Sequence, residues 1–214
     1  MLQILLSNLA IILIAYLSKE FIYKKLTHFP KLFLIGFNIV LYSSLIILLF
    51  YIPIQINDFR FDLRVVILLF LAITYGWRIT VSILIITALW RLSVIGGSVA
   101  LASVFYNMII PVLIGLLFRQ ANYKIMPFRN LFILASSVWL ITLIPLTWLD
   151  PNGFEMLKSI AITHYLTFII CFLILYGLYA GTVKQEEMEE KVHHMAYHDA
   201  LTGLPNRYNL MNEL

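Results

Sequence analysis

The sequence predicts an all-α polytopic membrane protein of about seven transmembrane helices, two of which form a short helical hairpin. Of the 214 residues, 62% are hydrophobic and only 12% are charged, and the mean hydropathy is +0.92. Soluble domains carry about 25% charged residues. Most lysines and arginines lie in short loops between apolar runs, so the net charge of +4 indicates membrane topology and not a nucleic-acid partner.

The first two apolar runs predict membrane helices on either side of a basic loop. Leu2 to Leu17 follows no lysine or arginine, and four lysines come after it between residues 19 and 31. A cleaved signal peptide has the opposite polarity, so we expect an uncleaved first helix with its N-terminus outside. The second helix is expected from about Leu32 to Ile54, and residues 57–62 form a polar loop outside.

Two shorter apolar runs follow, from Leu63 to about Tyr75 and from Ile79 to about Trp90. Each holds about 12 to 14 residues, roughly 20 Å of helix, whereas the hydrocarbon core is roughly 30 Å thick. The break around Gly76 favours a hairpin over one helix from Leu63 to Arg91, which would bury Arg78 at mid-depth. One long helix would also leave six spans and put the first basic loop outside, against the positive-inside rule.

Three further spans are expected, at about Val99–Phe118, Leu131–Leu149 and Leu157–Thr182. The basic residues between 119 and 129 should face the cytoplasm, as the first basic loop should. Residues 1–182 are thus predicted to be a transmembrane domain in the plasma (inner) membrane, in contact with lipid, with its C-terminus in the cytoplasm.

Two arginines of the hairpin predict an anion-binding site. Arg64 lies about as far before the break as Arg91 lies after it, so a hairpin brings both to one level. A guanidinium inside a membrane costs at least about 2.5 kcal/mol unless it is paired or hydrated, which makes it a functional candidate. Next in the chain come Gly96, Gly97 and Ser98. We expect their backbone N–H groups, and a following helix capped by Ser98, to help hold a carboxylate or phosphate.

Other roles for these charges remain open from the sequence. Arg64 and Arg91 can be interface residues whose charged ends reach water, or Arg64 can pair with Asp62 or Asp58. Arg78 is predicted to anchor the hairpin at the cytoplasmic side and not to bind a ligand.

The histidines and the single cysteine predict no metal site and no disulfide. His194 and His198 have i, i+4 spacing, but no carboxylate lies in register with them on what should be an exposed linker. His164, alone in the last span, is predicted to be a hydrogen-bonded core residue and not a proton switch. Cys171 is expected to pack in the last span.

Beyond Thr182 the composition becomes charged, and residues 183–198 are predicted to continue the last helix into water as a signalling helix. Met188, Val192 and Met195 follow each other at i, i+4 and i+7, a pattern that can join two copies in a short coiled coil. The sequence therefore predicts a homodimer, with an unpartnered charged helix end as the alternative.

Residues 199–207 read Asp-Ala-Leu-Thr-Gly-Leu-Pro-Asn-Arg. They resemble the opening of a GGDEF domain, the diguanylate cyclase module, whose first segment characteristically reads D-x-L-T-G-L-x-N-R. The resemblance implies that residues 199–214 begin such a domain and that Asp199 and Arg207 fix its turn. The metal-binding Asp and the GG(D/E)EF loop are expected beyond Leu214. No catalytic residue is therefore assigned, and Mg²⁺ and GTP are expected only for that missing part.

Four short motifs also occur in order, at Phe61-Asp62-Leu63-Arg64, Tyr75-Gly76, Trp90-Arg91-Leu92 and Gly96-Gly97. Together they resemble the five-transmembrane receptor domain of the LytS/YhcK type, found before histidine kinases and GGDEF domains. The resemblance extends from about Leu32 to Thr182. In this chain Trp77 follows Tyr75-Gly76, where members of the family commonly have a second glycine.

Some members of that family sense small carboxylates such as pyruvate. The resemblance implies a membrane sensor that binds a small carboxylate and controls cyclic di-GMP synthesis. Two alternatives are a solute-transporter subunit that shares the fold and a passive membrane anchor. The signalling helix argues against a transporter.

Overall fold

The computed structural model describes residues 2–25, 29–56, 59–119, 125–149 and 152–197. Nearly all of this backbone is helical, which confirms the predicted all-α class. The helices are α1 (Leu2–Lys25), α2 (Lys31–Leu49), α3 (Arg64–Thr74), α4 (Trp77–Trp90), α5 (Ala100–Val104), α6 (Ile110–Phe118), α7 (Phe128–Thr142), α8 (Ile144–Leu149) and α9 (Gly153–Tyr197).

Six helical stretches among the described residues are long and apolar enough to cross a membrane. Several are composite: a π-helical turn extends α4, a second one joins α5 to α6, and α8 follows α7. The six stretches are Leu2–Lys25, Lys31–Leu49, Trp77–Ile95, Ala100–Phe118, Phe128–Leu149 and Gly153–Tyr197. The protein is therefore a multi-pass membrane protein, as its composition predicts.

The predicted hairpin is present, but its two arms differ in length. α3 has 11 residues, about 16 Å of helix, and ends before Gly76. Gly76 has φ 78°, in the left-handed region that favours glycine. After it, α4 and the π-helical turn Arg91–Ile95 form a stretch of 19 residues, longer than the expected arm. The seventh helix is thus α3, which is too short to span alone.

α3 lies in the core because it is apolar around its whole circumference. All its residues from Arg64 to Ile73 are buried. Gly115 of α6 lies against this helix: a Cβ atom at position 115 would be 2.7 Å from the Cβ of Ala72 and 3.4 Å from the carbonyl oxygen of Leu69. A residue without a side chain therefore allows the two helices to approach closely, as small residues do between membrane helices.

The segment between α2 and α3 differs from the expected continuation of a helix followed by an outer polar loop. α2 ends at Leu49 because Pro53 disfavours the helical conformation of the residue before it. A two-stranded antiparallel sheet follows, with β1 (Ile54–Ile56) paired to β2 (Phe59–Phe61). Asp62, expected in the loop outside, is 4% exposed. The chain therefore enters α3 from a buried carboxylate.

The chain divides into two compact units, residues 1–175 and 176–214. In the second unit the structure describes residues 176–197, which are helical as predicted. Its apolar stripe is exposed, with Met188 and Val192 both at 57% and Met195 at 67%. His198, Asp199 and Arg207 lie outside the described residues, as does the side chain of His194.

Gly115→Ala should destabilise the bundle. The added methyl group meets backbone-fixed atoms of α3, and overpacking of this kind costs about 1–3 kcal/mol. Gly36→Ala is the matched control, because Gly36 also lies in a helix and has no atom within 4 Å of the position that a Cβ would take. That change should be neutral or stabilising by up to about 1 kcal/mol. Thermal unfolding in detergent measures both, and equal melting temperatures would contradict close α3–α6 packing.

Candidate anion-binding site

A cavity of about 40 Å³ lies at the open end of the α3–α4 hairpin. One water needs about 10–15 Å³, so the cavity suits a few water-sized groups or one small solute. Four charged side chains line it: Arg60, Asp62, Arg64 and Arg91. Helices from distant parts of the sequence complete the wall with uncharged polar groups.

The structure brings Arg64 and Arg91 to this one cavity, as the hairpin predicts. Arg64 begins α3, and Arg91 begins the π-helical turn after α4. Each is only 1% exposed, so neither is an interface residue whose charged end reaches water. Their part in holding a ligand stays a prediction.

Arg64 pairs with Asp62, the alternative that the sequence left open. Its Nη1 atom is 3.4 Å from Asp62 Oδ2, and its backbone N–H donates to Asp62 Oδ1 at 3.0 Å. The Nη2 group donates to the hydroxyl of Ser103 at 3.1 Å. The guanidinium carbon also lies 4.5 Å from the ring centre of Phe50. Asp58, the other proposed partner, lies outside the described residues.

Arg91 has no carboxylate partner among the described residues. Its Nη1 group donates to the carbonyl oxygen of Gly96. The backbone N–H of Gly96 in turn donates to the carbonyl oxygen of Arg91 at 3.0 Å, which closes the π-helical turn. Gly96 therefore presents its carbonyl group to Arg91, and the expectation that its N–H is available to an anion is wrong.

Gly97 and Ser98 do not line the cavity, and both are exposed. The next helix begins at Ala100, with Val99 at the cap position and no side-chain cap hydrogen bond. The predicted cap at Ser98 is therefore wrong. Gly96, at φ 57°, and Gly97, at φ 99°, have positive φ angles, and the chain meets the cavity wall again at Val99, just before α5.

Four uncharged polar residues of the site were not predicted from the sequence: Ser103, Asn107, Thr142 and His164. Ser103 and Asn107 are four residues apart within an apolar run, and that i, i+4 pair of polar residues was the signal that could have found them. A π-helical turn over Phe105–Ile109 contains Asn107. Such turns occur often at functional sites.

His164 is hydrogen-bonded in the core, as predicted, and it also lines the cavity. The indole N–H of Trp139 donates to His164 Nδ1 at 2.9 Å. The imidazole ring lies edge-on to Phe61, with ring centres 5.9 Å apart. Helices α7 and α9 thus fix the position of this ring.

Several buried polar atoms of these residues have no hydrogen-bond partner among the described residues. They are Arg64 Nε and Nη1, Asp62 Oδ2, Arg91 Nε, Asn107 Oδ1 and His164 Nε2. Arg64 Nη1 and Asp62 Oδ2 compensate each other as an ion pair at 3.4 Å, but each of the other four costs about 1–3 kcal/mol when left unpaired. A solute or waters that bind those four would recover that free energy, so the cavity is suited to a polar occupant.

The electrostatics favour an anion. Two buried guanidinium groups face one carboxylate, and half-buried Arg60 adds a third positive charge. Burial raises the pKa of the Asp62 carboxyl, and the neighbouring guanidinium groups, Arg64 first, lower it. The positive excess is available to a ligand with one negative charge.

Arg78 lies away from the cavity, at the start of α4, and is exposed. Its guanidinium carbon is 5.6 Å from the ring centre of Trp77. It is therefore a suitable control residue for the two buried arginines.

The family model described as 5TMR of 5TMR-LYT matches residues 5–181. The chain therefore belongs to this five-transmembrane receptor family, and its membrane part is a sensor receptor domain. The match begins earlier than the expected Leu32 and includes α1. Neither the curated proteins nor the solved structures contain a match to the chain.

Asp62→Asn should lower the melting temperature strongly, because it leaves the buried charge of Arg64 uncompensated. Breaking a buried ion pair costs about 3–5 kcal/mol. Glu155→Gln is the control: the pair of Glu155 and Lys158 has a 2.8 Å contact, but its side chains are 74% and 58% exposed. Loss of an exposed pair costs about 0–1 kcal/mol. Thermal unfolding in the same detergent compares the two, and equal shifts would mean that water reaches the Arg64 pair.

Proposed function

We propose that this receptor binds a small carboxylate between Arg64 and Arg91 and transmits the binding event to a cytoplasmic diguanylate cyclase module. The observation that supports it is that two arginine side chains, each 1% exposed, line one cavity in which Asp62 is the one carboxylate among the described lining residues. A buried guanidinium that lacks a full set of partners raises the free energy of the folded protein, and a ligand carboxylate that pairs with it reduces that cost.

The chemistry of the arginines suits an anion with two oxygens, such as a carboxylate. A guanidinium offers two parallel N–H groups that match the two oxygens of a carboxylate. The cavity volume of about 40 Å³ restricts the ligand to a few non-hydrogen atoms. In the orientation proposed here, which places the N-terminus outside the cell, the ligand enters the cavity from the outer side of the membrane.

Helix α9 supplies the route to the output. It carries His164 on the cavity wall and runs without a break from Gly153 to Tyr197. A ligand that displaces His164 acts directly on this helix. The residues that follow it resemble the start of a GGDEF domain, and Mg²⁺ and GTP belong to the cyclase part of such a protein.

A homodimer completes the proposal. Diguanylate cyclases join two GTP molecules held by two facing domains, so the output depends on the geometry of a dimer. The exposed stripe of Met188, Val192 and Met195 is suited to pair two copies of the helix. A transporter subunit or a passive anchor would not need this stripe.

Arg64→Ala and Arg91→Ala should each weaken carboxylate binding at least about tenfold. The reason is that each charge-assisted hydrogen bond contributes about 1.5–3 kcal/mol. Lysine at either position should restore only part of the affinity, because an ammonium group cannot form the two-pronged contact. Calorimetric titration of purified protein in nanodiscs, with pyruvate as the first probe, measures the dissociation constants.

Arg78→Ala is the matched control and should bind as tightly as the wild type. If Arg78→Ala abolishes binding while the Arg64 and Arg91 variants keep it, the carboxylate site lies at the other end of the hairpin. If no variant or wild type binds any carboxylate, the proposed function is wrong.

The proposed orientation can be tested with single cysteines in a Cys171→Ala background. Thr27→Cys and Asn122→Cys should resist an impermeant maleimide in intact cells, because the basic loops around them should face the cytoplasm. Asn152→Cys, between α8 and α9, should react and is the positive control. Labelling at position 27 with protection at 122 would contradict the seven-helix topology.

A further inference from the structure

We propose that the ligand is a small 2-hydroxy carboxylate whose hydroxyl group bridges His164 and Asn107. This inference rests on the carboxylate site proposed above and adds the chemical class of the ligand. Arg64 and Arg91 hold the carboxylate, and the two neutral residues distinguish a hydroxyl group from other substituents.

His164 presents a hydrogen-bond donor to the cavity. An indole N–H can only donate, so the 2.9 Å contact from Trp139 Nε1 makes His164 Nδ1 an acceptor without a proton. The neutral ring then carries its proton on Nε2. That atom is buried and forms no hydrogen bond of normal geometry among the described residues, although the Asp62 backbone interacts with the ring, and His164 as a whole is 7% exposed.

Asn107 presents a hydrogen-bond acceptor to the same cavity. Its Oδ1 atom is buried and has no partner among the residues that the structure describes. Asn107 lies on the α5–α6 stretch and His164 on α9, so the two groups reach the cavity from different helices. A ligand group that satisfies both must accept one hydrogen bond and donate another.

A hydroxyl group is the small neutral group that does both with one oxygen atom. A keto oxygen can accept from His164 but leaves the Asn107 oxygen facing another acceptor. An ammonium group can donate to Asn107 but cannot accept from His164, and Arg64 and Arg91 repel it. An unsubstituted acid leaves both buried groups unpaired, which costs about 1–3 kcal/mol for each.

The position of the hydroxyl follows from the size of the cavity. About 40 Å³ accommodates only a short acid. In the shortest hydroxy acid, which has two carbons, the hydroxyl carbon is the one next to the carboxylate, and we extend that position to the three-carbon acids. Sites built to bind a hydroxyl group reject analogues without it more strongly than apolar pockets reject a lost methyl group.

Three acids with the same carbon skeleton test the inference by calorimetry on the whole chain in nanodiscs: lactate, pyruvate and propanoate. The wild type should bind lactate at least about tenfold more tightly than either of the others. This comparison needs no variant, so it does not depend on the stability of one. Both enantiomers of lactate are titrated separately.

Variants then show which residues cause the preference for lactate. Asn107→Leu and His164→Phe should each abolish the preference for lactate and keep the affinity for propanoate. His164→Gln should keep part of the preference, because the glutamine amide nitrogen can donate from the position of Nε2. Asn38→Leu is the control: Asn38 is a buried asparagine that bonds the Leu34 carbonyl oxygen, outside the cavity lining.

The outcomes separate the two proposals. Equal affinities for the three acids, or tighter binding of pyruvate than of lactate, overturn the hydroxy-acid inference and leave the carboxylate site in place. A preference for lactate that survives both Asn107→Leu and His164→Phe also overturns it. Absence of binding by all three acids overturns the proposed carboxylate site itself.

Discussion

The burial of a guanidinium in an apolar helix bundle is the constraint on which this structure depends. Arg64 begins the most buried helix of the bundle and is 1% exposed. Its charge needs a counter-charge and hydrogen-bond acceptors that lipid cannot supply. Asp62, Ser103 and the ring of Phe50 supply them at short range. The placement of β2, α3 and the α5–α6 stretch is thus tied to one side chain.

Irregular backbone positions the remaining groups of the site. Gly76, at φ 78°, separates α3 from α4, so the chain reverses and returns Arg91 to the level of Arg64. Arg91 and Asn107 each lie in a π-helical turn, where an extra residue changes the direction of the side chains that follow. Non-helical or distorted backbone at membrane depth is tolerated where it lines a polar cavity. Both π-helical turns contribute a polar residue to the cavity wall.

The cavity wall also explains how a small solute could act on a long helix. The ring of His164 contacts both Trp139 of α7 and Phe61 of β2, so a shift of the ring changes its contacts with both elements. It belongs to α9, which is the last membrane helix and continues to Tyr197. A bound group that competes for His164 or for the Arg64 pair changes contacts on both sides of α9. No rearrangement of the remaining spans is required for such an effect.

The sequence by itself determined the membrane class, the approximate positions of the spans, the break at Gly76 and the placement of Arg64 and Arg91 at one level of the hairpin. These features are local: run length, the conformational freedom of glycine and the cost of an intramembrane charge act within a few turns of chain. Only the tertiary structure decided that Asp62 is buried beside Arg64, that Gly96 turns its carbonyl to Arg91 and that Asn107 and His164 reach the same cavity. Those outcomes depend on the packing of helices far apart in the chain and on hydrogen-bond register: the i, i+4 spacing of Ser103 and Asn107 marks a polar face, but periodicity does not say which distant residues meet it.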